Sequence, residues 1–494
     1  MPTRHLPHNP RLEHLRKHAK ALLRGVHSGA PEALDLVREF HPRPDATADP
    51  AGFALADAQL VIARMYAFPS WPRLRAHLDV VSRYSRSPHH EPPGDDDLAD
   101  RLLRLACLGY GADDVGRHAQ ARELLAGHPE LAAANVYTAA AVGDVPAART
   151  LLAADPAAAN REGGPYRWPP LLYVAYSRLD SADPGHSTMD VARVLLEHGA
   201  DPNAGYLWEG LPSPFTALTG AFGEGEDLVN QPRHRYAIPL ARLLLEYGAD
   251  PNDAQALYNR QFTPDNDHLE LLLALGLGRG SGGPWRARLG PALGTPAQLV
   301  ADQLLWAAKH NLTERVELLL RNGIDVNGAG TGHPFAAGRS AYELAVLHGN
   351  TAISTLLAAA GAVVPDLDPM EEFVAACMRA DRDAVHALLA ADPTLTERTV
   401  ARRPDLVIRA TELNRPDAIR LLAQLGFDVN ARARITALHE AASGGRVALI
   451  QLLIELGADP LIRDTSFDAT PLGWAEHNRQ LEAAAFLRTK GVDA

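Results

Sequence analysis

From Thr436 to Arg463 the chain reads TALHEAASGGRVALIQLLIELGADPLIR, and its apolar positions fall into two short periodic runs. Ala437, Leu438, Ala441 and Ala442 predict a first helix with a small-residue face, with Thr436 as its N-cap. Gly444 and Gly445 break it, and Val447, Leu449, Ile450, Leu452, Leu453 and Leu456 recur at helical spacing in a second helix. Gly457 suits the C′ position, where a positive φ is needed. Ala441 and Gly457 are 16 residues apart, and the same 16 separates Ala307 from Gly323, Ala345 from Gly361, Ala410 from Gly426 and Ala475 from Gly491. Between Gly361 and Gly426 lies a degenerate unit, CMRADRDAVHALLAADP, with Pro393 in the glycine slot. One helix pair cannot bury its apolar face alone, so the pattern predicts pairs stacked on one another.

The unit resembles the ankyrin repeat, whose marks T-P-L-H-x-A-A and L-L-x-x-G-A-D-x-N stand here as Thr436, Leu438, His439, Ala441, Leu452, Leu453, Gly457, Ala458 and Asp459. Glycines 426, 457 and 491 lie 31 and 34 residues apart, close to a period of about 33 residues. The resemblance covers roughly residues 98–494 and is strongest from 298 onward. It implies an all-α, ankyrin-repeat solenoid, and a usual role as a non-enzymatic module that binds another protein. It also implies that His439 ties one finger connection to the next by side-chain hydrogen bonds. The segment before the array is similar to the helical N-terminal region of some bacterial ankyrin proteins.

Along the chain, residues 1–84 read as that N-terminal helical region. Leu12, Leu15, Ala19, Leu22 and Leu23 form one stripe, and Ser70-Trp71-Pro72 starts a later helix. Residues 85–97, SRSPHHEPPGDDD, have the composition of a linker. Residues 98–165 hold degenerate capping ankyrin-like units, residues 166–297 irregular repeats with insertions, and residues 298–494 regular repeats. Val174 to Gly199 is 25 residues and Ala221 to Gly248 is 27, so these units carry 9 and 11 extra residues over the ruler. Both insertions, around 177–190 and 222–237, fall between first and second helix and are expected side by side on one edge. The opposite connections, 161–170, 204–215, 279–296 and 328–339, are also enlarged.

Composition narrows the function. The chain has 494 residues and a formal charge of −12. Residues 1–90 carry 13 Lys+Arg against 8 Asp+Glu, about +5; the remainder carries 35 against 52, about −17. An acidic body argues against nucleic acid as the main partner. Cys107 and Cys377, both beside alanine in helical runs, are too few for a disulfide framework and read as buried small apolar residues. No run of 18 apolar residues and no signal-type segment occurs, so a soluble, cytoplasmic protein without a membrane partner is expected. Four lysines against 44 arginines suggest a GC-rich host, in keeping with a bacterial source.

The motifs for chemistry fail one by one. His439 to Ser443 nearly spells a zinc-protease motif but has serine in place of the second histidine. Gly278, Gly280 and Gly283 satisfy G-x-G-x-x-G, yet a helix precedes them and Pro284-Trp285 follow where a phosphate-binding helix should begin. Asp265-Asn266-Asp267 opens like a calcium loop without its glycine or final glutamate, and reads as a cap for the helix from His268. His89 and His90 with Asp95–Asp97 offer an adventitious metal site but read as part of a mobile tether, and His14 with His18, a possible metal pair one helical turn apart, read as a solvated face among Arg11, Arg16, Lys17 and Lys20. Ser340 to Glu343 is a capping box. No cofactor and no metal site is expected.

Aromatic placement stands above this background. Trp168, Trp208 and Trp285 fall in consecutive enlarged connections, with Tyr166, Arg167, Tyr206, Glu209, Arg286, Arg288, His333 and Arg339 nearby. Three readings follow: a satellite core under the loops, a protein-binding hot spot rich in Trp, Tyr and Arg, or a small-molecule pocket with Glu209, Arg286 or His333 as polar groups. The primary expectation is a scaffold that binds another protein through its concave and finger side at 161–340, using these eleven residues. The alternative is a small-molecule-binding protein or unusual enzyme with a pocket in the same repeats. No catalytic residue is assigned.

Overall fold

The computed structural model describes residues 6, 11–43, 45–46, 49–90, 97–111, 113–179 and 183–491. It divides into two compact units. One holds residues 1–226, 230–260 and 274–295, the other 227–229, 261–273 and 296–494. The division passes through the helix pair Ala254–Arg260 and Asp267–Ala274.

The second unit shows the pattern at its most regular. Helices Ala341–Leu347 and Thr351–Ala359, Leu406–Glu412 and Pro416–Gln424, Ala437–Ser443 and Val447–Glu455, and Pro471–His477 and Leu481–Arg488 pack as pairs. First helices pack on one another: Ala437–Ser443 lies against both Leu406–Glu412 and Pro471–His477, and Ala341–Leu347 against Pro369–Met378. Ala441 and Ala475 are fully buried in these faces, because only a small side chain lets neighbouring first helices approach. Gly457 has φ +96°, and the following Ala458 N–H reaches back to the Leu453 carbonyl at 2.9 Å. This wrap satisfies carbonyls that the helix end leaves open. Gly323, Gly361, Gly426 and Gly491 share the left-handed φ. The Pro393 unit departs from the pattern: after Pro369–Met378 and Arg382–Ala391 comes an additional helix, Leu395–Arg402, which the sequence did not predict.

The first unit begins with four helices, Leu12–His27, Pro31–Phe40, Leu55–Met65 and Trp71–Tyr84, around a core of Leu15, Ala19, Leu22, Phe40, Ile62 and Leu74. Helix pairs follow at Leu98–Ala106 and Val115–Gly127, Val136–Val142 and Val145–Ala154, Pro170–Tyr176 and Thr188–Glu197, and Ala217–Phe222 and Ala237–Glu246. The two insertions sit between first and second helix and touch. Arg178 in the first donates to the Pro232 carbonyl in the second at 2.6 Å, and His234 donates to Thr188 Oγ1 at 3.2 Å.

Two features correct the all-α and linker expectations. Ser85–Arg86 is a strand that pairs in parallel with Gly205–Trp208, which pairs antiparallel with Pro214–Thr216. The segment read as a tether thus begins by joining a small sheet; residues 91–96, including Asp95 and Asp96, lie outside the described residues. The connection at 279–296 is also partly helical, since Gly283–Leu289 forms a seven-residue helix after the glycine run.

Candidate functional site

Each enlarged connection of the first unit folds inward. In 161–170, Gly163 and Trp168 exchange main-chain hydrogen bonds of 3.0 and 3.1 Å, and Arg167 takes φ +53° at the tip. This tight turn drives Tyr166 and Trp168 down onto the helix Pro170–Tyr176. Trp168 stands 5.4 Å from Tyr173, 5.0 Å from Tyr176 and 5.0 Å from Tyr206 between ring centroids. The strand Gly205–Trp208 places Tyr206 in the same stack, 5.5 Å from Phe215, while its neighbour Leu207 faces Val81, Trp285 and Leu289. This is the alternation of a strand buried on both faces.

Burial therefore corrects the contact-surface reading. Trp168 and Tyr206 are each 1% exposed, Tyr166 4% and Trp285 6%. A partner docking on the folded surface does not reach them. Trp285 meets Tyr84 edge-on at 5.0 Å, and its indole N–H donates to the Asn203 carbonyl at 2.9 Å. Arg288 lies over the Trp285 ring at 4.9 Å, and Arg286 donates to the Leu293 carbonyl. Trp208 is half-buried, stacks on His89 at 4.7 Å and donates to the Gly109 carbonyl at 3.1 Å. Glu209 bonds His89 at 3.2 Å. In the second unit, exposed His333 accepts from Phe335 N–H at 3.4 Å, and Arg339 pairs with Glu343 at 2.9 Å and with Glu371. Of the eleven, Arg167 and His333 are exposed, and they belong to different units.

The first unit does contain a cavity of about 370 Å³, lined by Arg86, His90, Arg104, Tyr166 and Arg167 among others. Arg86 is neutralised by Glu162 at 3.0 Å, and Arg104 lies over the Tyr166 ring at 5.6 Å. Sequence reasoning missed Arg86 and Arg104 because Arg86 meets Arg167 across 81 residues and Arg104 meets Tyr166 across 62.

It also missed the buried polar centre between the insertions. Arg178 donates to the carbonyls of Pro232, Ala175, Ser177 and Gly220, at 2.6, 2.9, 2.9 and 2.7 Å. Burial pushes its pKa down to about 10, so it remains a cation. His234 is pushed down to about 3 by burial and is neutral. Asp113 accepts from the N–H groups of Gly109 and Tyr110 at 2.8 and 2.7 Å, and burial outweighs these bonds and raises its pKa. These groups fasten loops. No spacing in the sequence announces them, since the partners are main-chain atoms.

The connections of the second unit behave differently. Asn430 donates to the Gly457 carbonyl at 3.0 Å and accepts from Asp459 N–H at 2.8 Å, locking one finger to the next. Asn327 does the same with Gly361 and Val363. His439 accepts from Thr436 N–H at 3.3 Å through Nδ1 and donates to the Ala469 carbonyl at 3.1 Å through Nε2, the tie the resemblance implied. In the last finger, the Asp464 carboxylate accepts from Ser466 N–H and Phe467 N–H at 2.7 Å each, and from Ala469 N–H and the Trp474 indole at 3.0 Å each. Desolvation opposes its charge, but the Trp474 indole and these N–H groups outweigh it and hold the carboxyl well below the usual range. The loop so fixed carries Phe467 at 71% exposure, with Leu461 at 58% beside it in sequence and Val363 at 67% on another finger.

Two clusters have metal-ligand composition among the described residues: His89, His90 and Glu209, and Asp265, Asp267 and His268. The second is an unfavourable place for a cation. Arg315 is fully buried and donates to Asn266 Oδ1 at 2.8 Å and to the Asp265 carbonyl at 2.9 Å, so a guanidinium already stands in that loop. No described helix is long and apolar enough to cross a membrane.

Comparison with known proteins bears on the C-terminal part. A family model described as ankyrin repeats in three copies matches residues 373–464 and 407–494. Palmitoyltransferase Hip14 of Drosophila melanogaster is 31% identical over 119 residues, which is 23% of this chain and 18% of that protein. A putative ankyrin repeat protein of Acanthamoeba polyphaga mimivirus is 38% identical over 68 residues, 13% of this chain and 9% of that protein. The chain thus spans less than a fifth of either relative. These relatives come from a fly and a giant virus and do not show the bacterial source that the resemblance implied. Residues 373–494 of this chain carry ankyrin repeats.

Proposed function

We propose that this protein is a non-enzymatic ankyrin solenoid that binds another protein through the finger tips of its regular repeats, with Phe467 as the anchoring side chain. Ankyrin repeats generally mediate protein–protein interaction. The observation that carries the finer reading is an aromatic ring 71% exposed on a loop that Asp464 holds through four hydrogen bonds. A large side chain presented from a rigid loop loses little conformational entropy on binding, and aromatic residues dominate binding hot spots. The finger side of the original expectation is kept; its location moves from 161–340 to 461–468, because the aromatics of 161–340 serve as core. The test is affinity capture of a partner by the full chain and by Phe467→Ala. The reading expects capture to fall by about tenfold or more, as for hot-spot truncation, with helicity and thermal midpoint unchanged. Equal capture by the variant contradicts it.

The small-molecule alternative is favoured by one observation, the arginine-lined cavity at 85–90 and 165–167. It expects an anionic compound to co-purify with the chain and to be lost from Arg167→Ala; its retention in that variant contradicts a cavity site.

A further inference from the structure

The folding of the first unit brings Glu209 to two adjacent histidines that the sequence leaves in a proline-rich segment. His89 Nε2 is 3.2 Å and His90 Nε2 3.9 Å from the same oxygen, Glu209 Oε1. One ligand atom from each of the three lies within 4.8 Å of the other two. Around a tetrahedral zinc ion, with bonds of about 2.0–2.2 Å, ligand atoms are separated by roughly 3.4 Å. The two spacings to Glu209 bracket that value, and the third, between the histidines, lies within 4.8 Å.

The His89 ring and the main chains of Glu209 and His90 are also held. His89 is stacked on Trp208 at 4.7 Å, and the Trp208 indole is itself anchored to the Gly109 carbonyl. Glu209 takes φ +49°, a conformation costly for a residue with a side chain, and its N–H is fixed to the Arg86 carbonyl at 2.9 Å. His90 N–H bonds the Ser87 carbonyl at 3.1 Å. The buried Nδ1 of His89 has no hydrogen-bond partner among the described residues, and Nε2 is the ring atom turned to Glu209.

From this geometry we infer that His89, His90 and Glu209 form a binding site for a divalent transition metal of the zinc class, a function that goes beyond protein binding by the fingers. Two imidazoles and one carboxylate favour zinc, cobalt or nickel over magnesium or calcium, which prefer oxygen ligands. Three protein ligands leave a coordination position open. His90 is 69% exposed and also lines the cavity of Arg86, Arg104 and Arg167, so that position is accessible from solvent.

The experiment titrates the untagged full chain, stripped of metal, with zinc by calorimetry and with cobalt by visible absorption. One ion per chain is expected, with cobalt absorption of low-coordinate intensity. Glu209→Gln, which keeps the shape of the side chain, and His90→Ala, which alters an exposed side chain, should each weaken binding by at least the roughly 10- to 100-fold that loss of a mere outer-shell partner costs. His14→Ala/His18→Ala, which removes the other close histidine pair, at 4.9 Å between rings, should bind as the unaltered chain does. The inference is overturned if no ion binds, if Glu209→Gln and His90→Ala bind as tightly as the unaltered chain, or if binding is lost only with His14 and His18. Circular dichroism of the two site variants separates ligand loss from unfolding.

Discussion

The finger connections of the two units solve one problem in opposite ways. Those of the first unit are long and aromatic, and they fold over the helix pairs until Trp168 and Tyr206 are almost wholly enclosed. Those around the last repeats of the second unit are short and are tied crosswise by Asn430 and Asp464, which leaves Phe467 in solvent. The difference teaches that an aromatic residue in a loop does not by itself mark a contact surface. A connection with enough residues to reach the neighbouring connection buries its rings there, whereas one held rigid by main-chain hydrogen bonds cannot collapse, and its ring stays available.

Truncating the buried ring should have the largest consequence. Trp168→Ala removes a side chain packed on Tyr166, Tyr173, Tyr176 and Tyr206, and is expected to destabilise the first unit by about 3–5 kcal/mol. Hydrogen exchange of the helices Pro170–Tyr176 and Ala217–Phe222 would show the loss as reduced protection. Unchanged protection would mean that the ring is not core.

Next in size is the fastening of the last finger. Asp464→Ala leaves four N–H groups without their acceptor and should cost about 2 kcal/mol. The sign with pH follows from the depressed pKa. The carboxylate stabilises the folded state above its ordinary value of about 3.9, and this contribution is lost as pH falls through the lower folded-state value. The stability gap between the unaltered chain and Asp464→Ala, measured by denaturant unfolding, should therefore be full at neutral pH and shrink below about pH 4. A gap that is constant with pH would show that the charge is not what holds the loop. A smaller effect, about 1 kcal/mol, is expected from Asn430→Ala, whose two bridging bonds face solvent; local exchange at Gly457–Asp459 would report it.

Much of this fold was legible in the chain. The 16-residue spacing placed the C′ glycines, the small-residue faces and the insertions between first and second helices, because each is dictated by local geometry: a positive φ, a close helix approach, an interrupted period. The capping box at Ser340 and the role of His439 were legible for the same reason, since both act within a few residues or one repeat. Nonlocal pairing was not. The strand Ser85–Arg86 finds Leu207–Trp208 across more than a hundred residues, and no alternation in two residues can announce that. Arg178 bonds carbonyls, which every residue has, so its role left no sequence signature. The candidate surface failed where burial was at issue: Tyr166, Trp168, Tyr206 and Trp285 were found as a group, but whether a ring faces in or out depends on how far its loop can fold. Glu209 was in the right neighbourhood for another reason, its approach to His89 and His90.

The contrast between enclosed and presented aromatics is tested most directly by measuring unfolding and partner capture side by side for Trp168→Ala and Phe467→Ala. The account predicts that Trp168→Ala lowers stability by about 3–5 kcal/mol, and that Phe467→Ala changes it by less than about 0.5 kcal/mol while abolishing most capture. A Phe467→Ala protein that unfolds early, or that captures its partner as well as the unaltered chain, would contradict it.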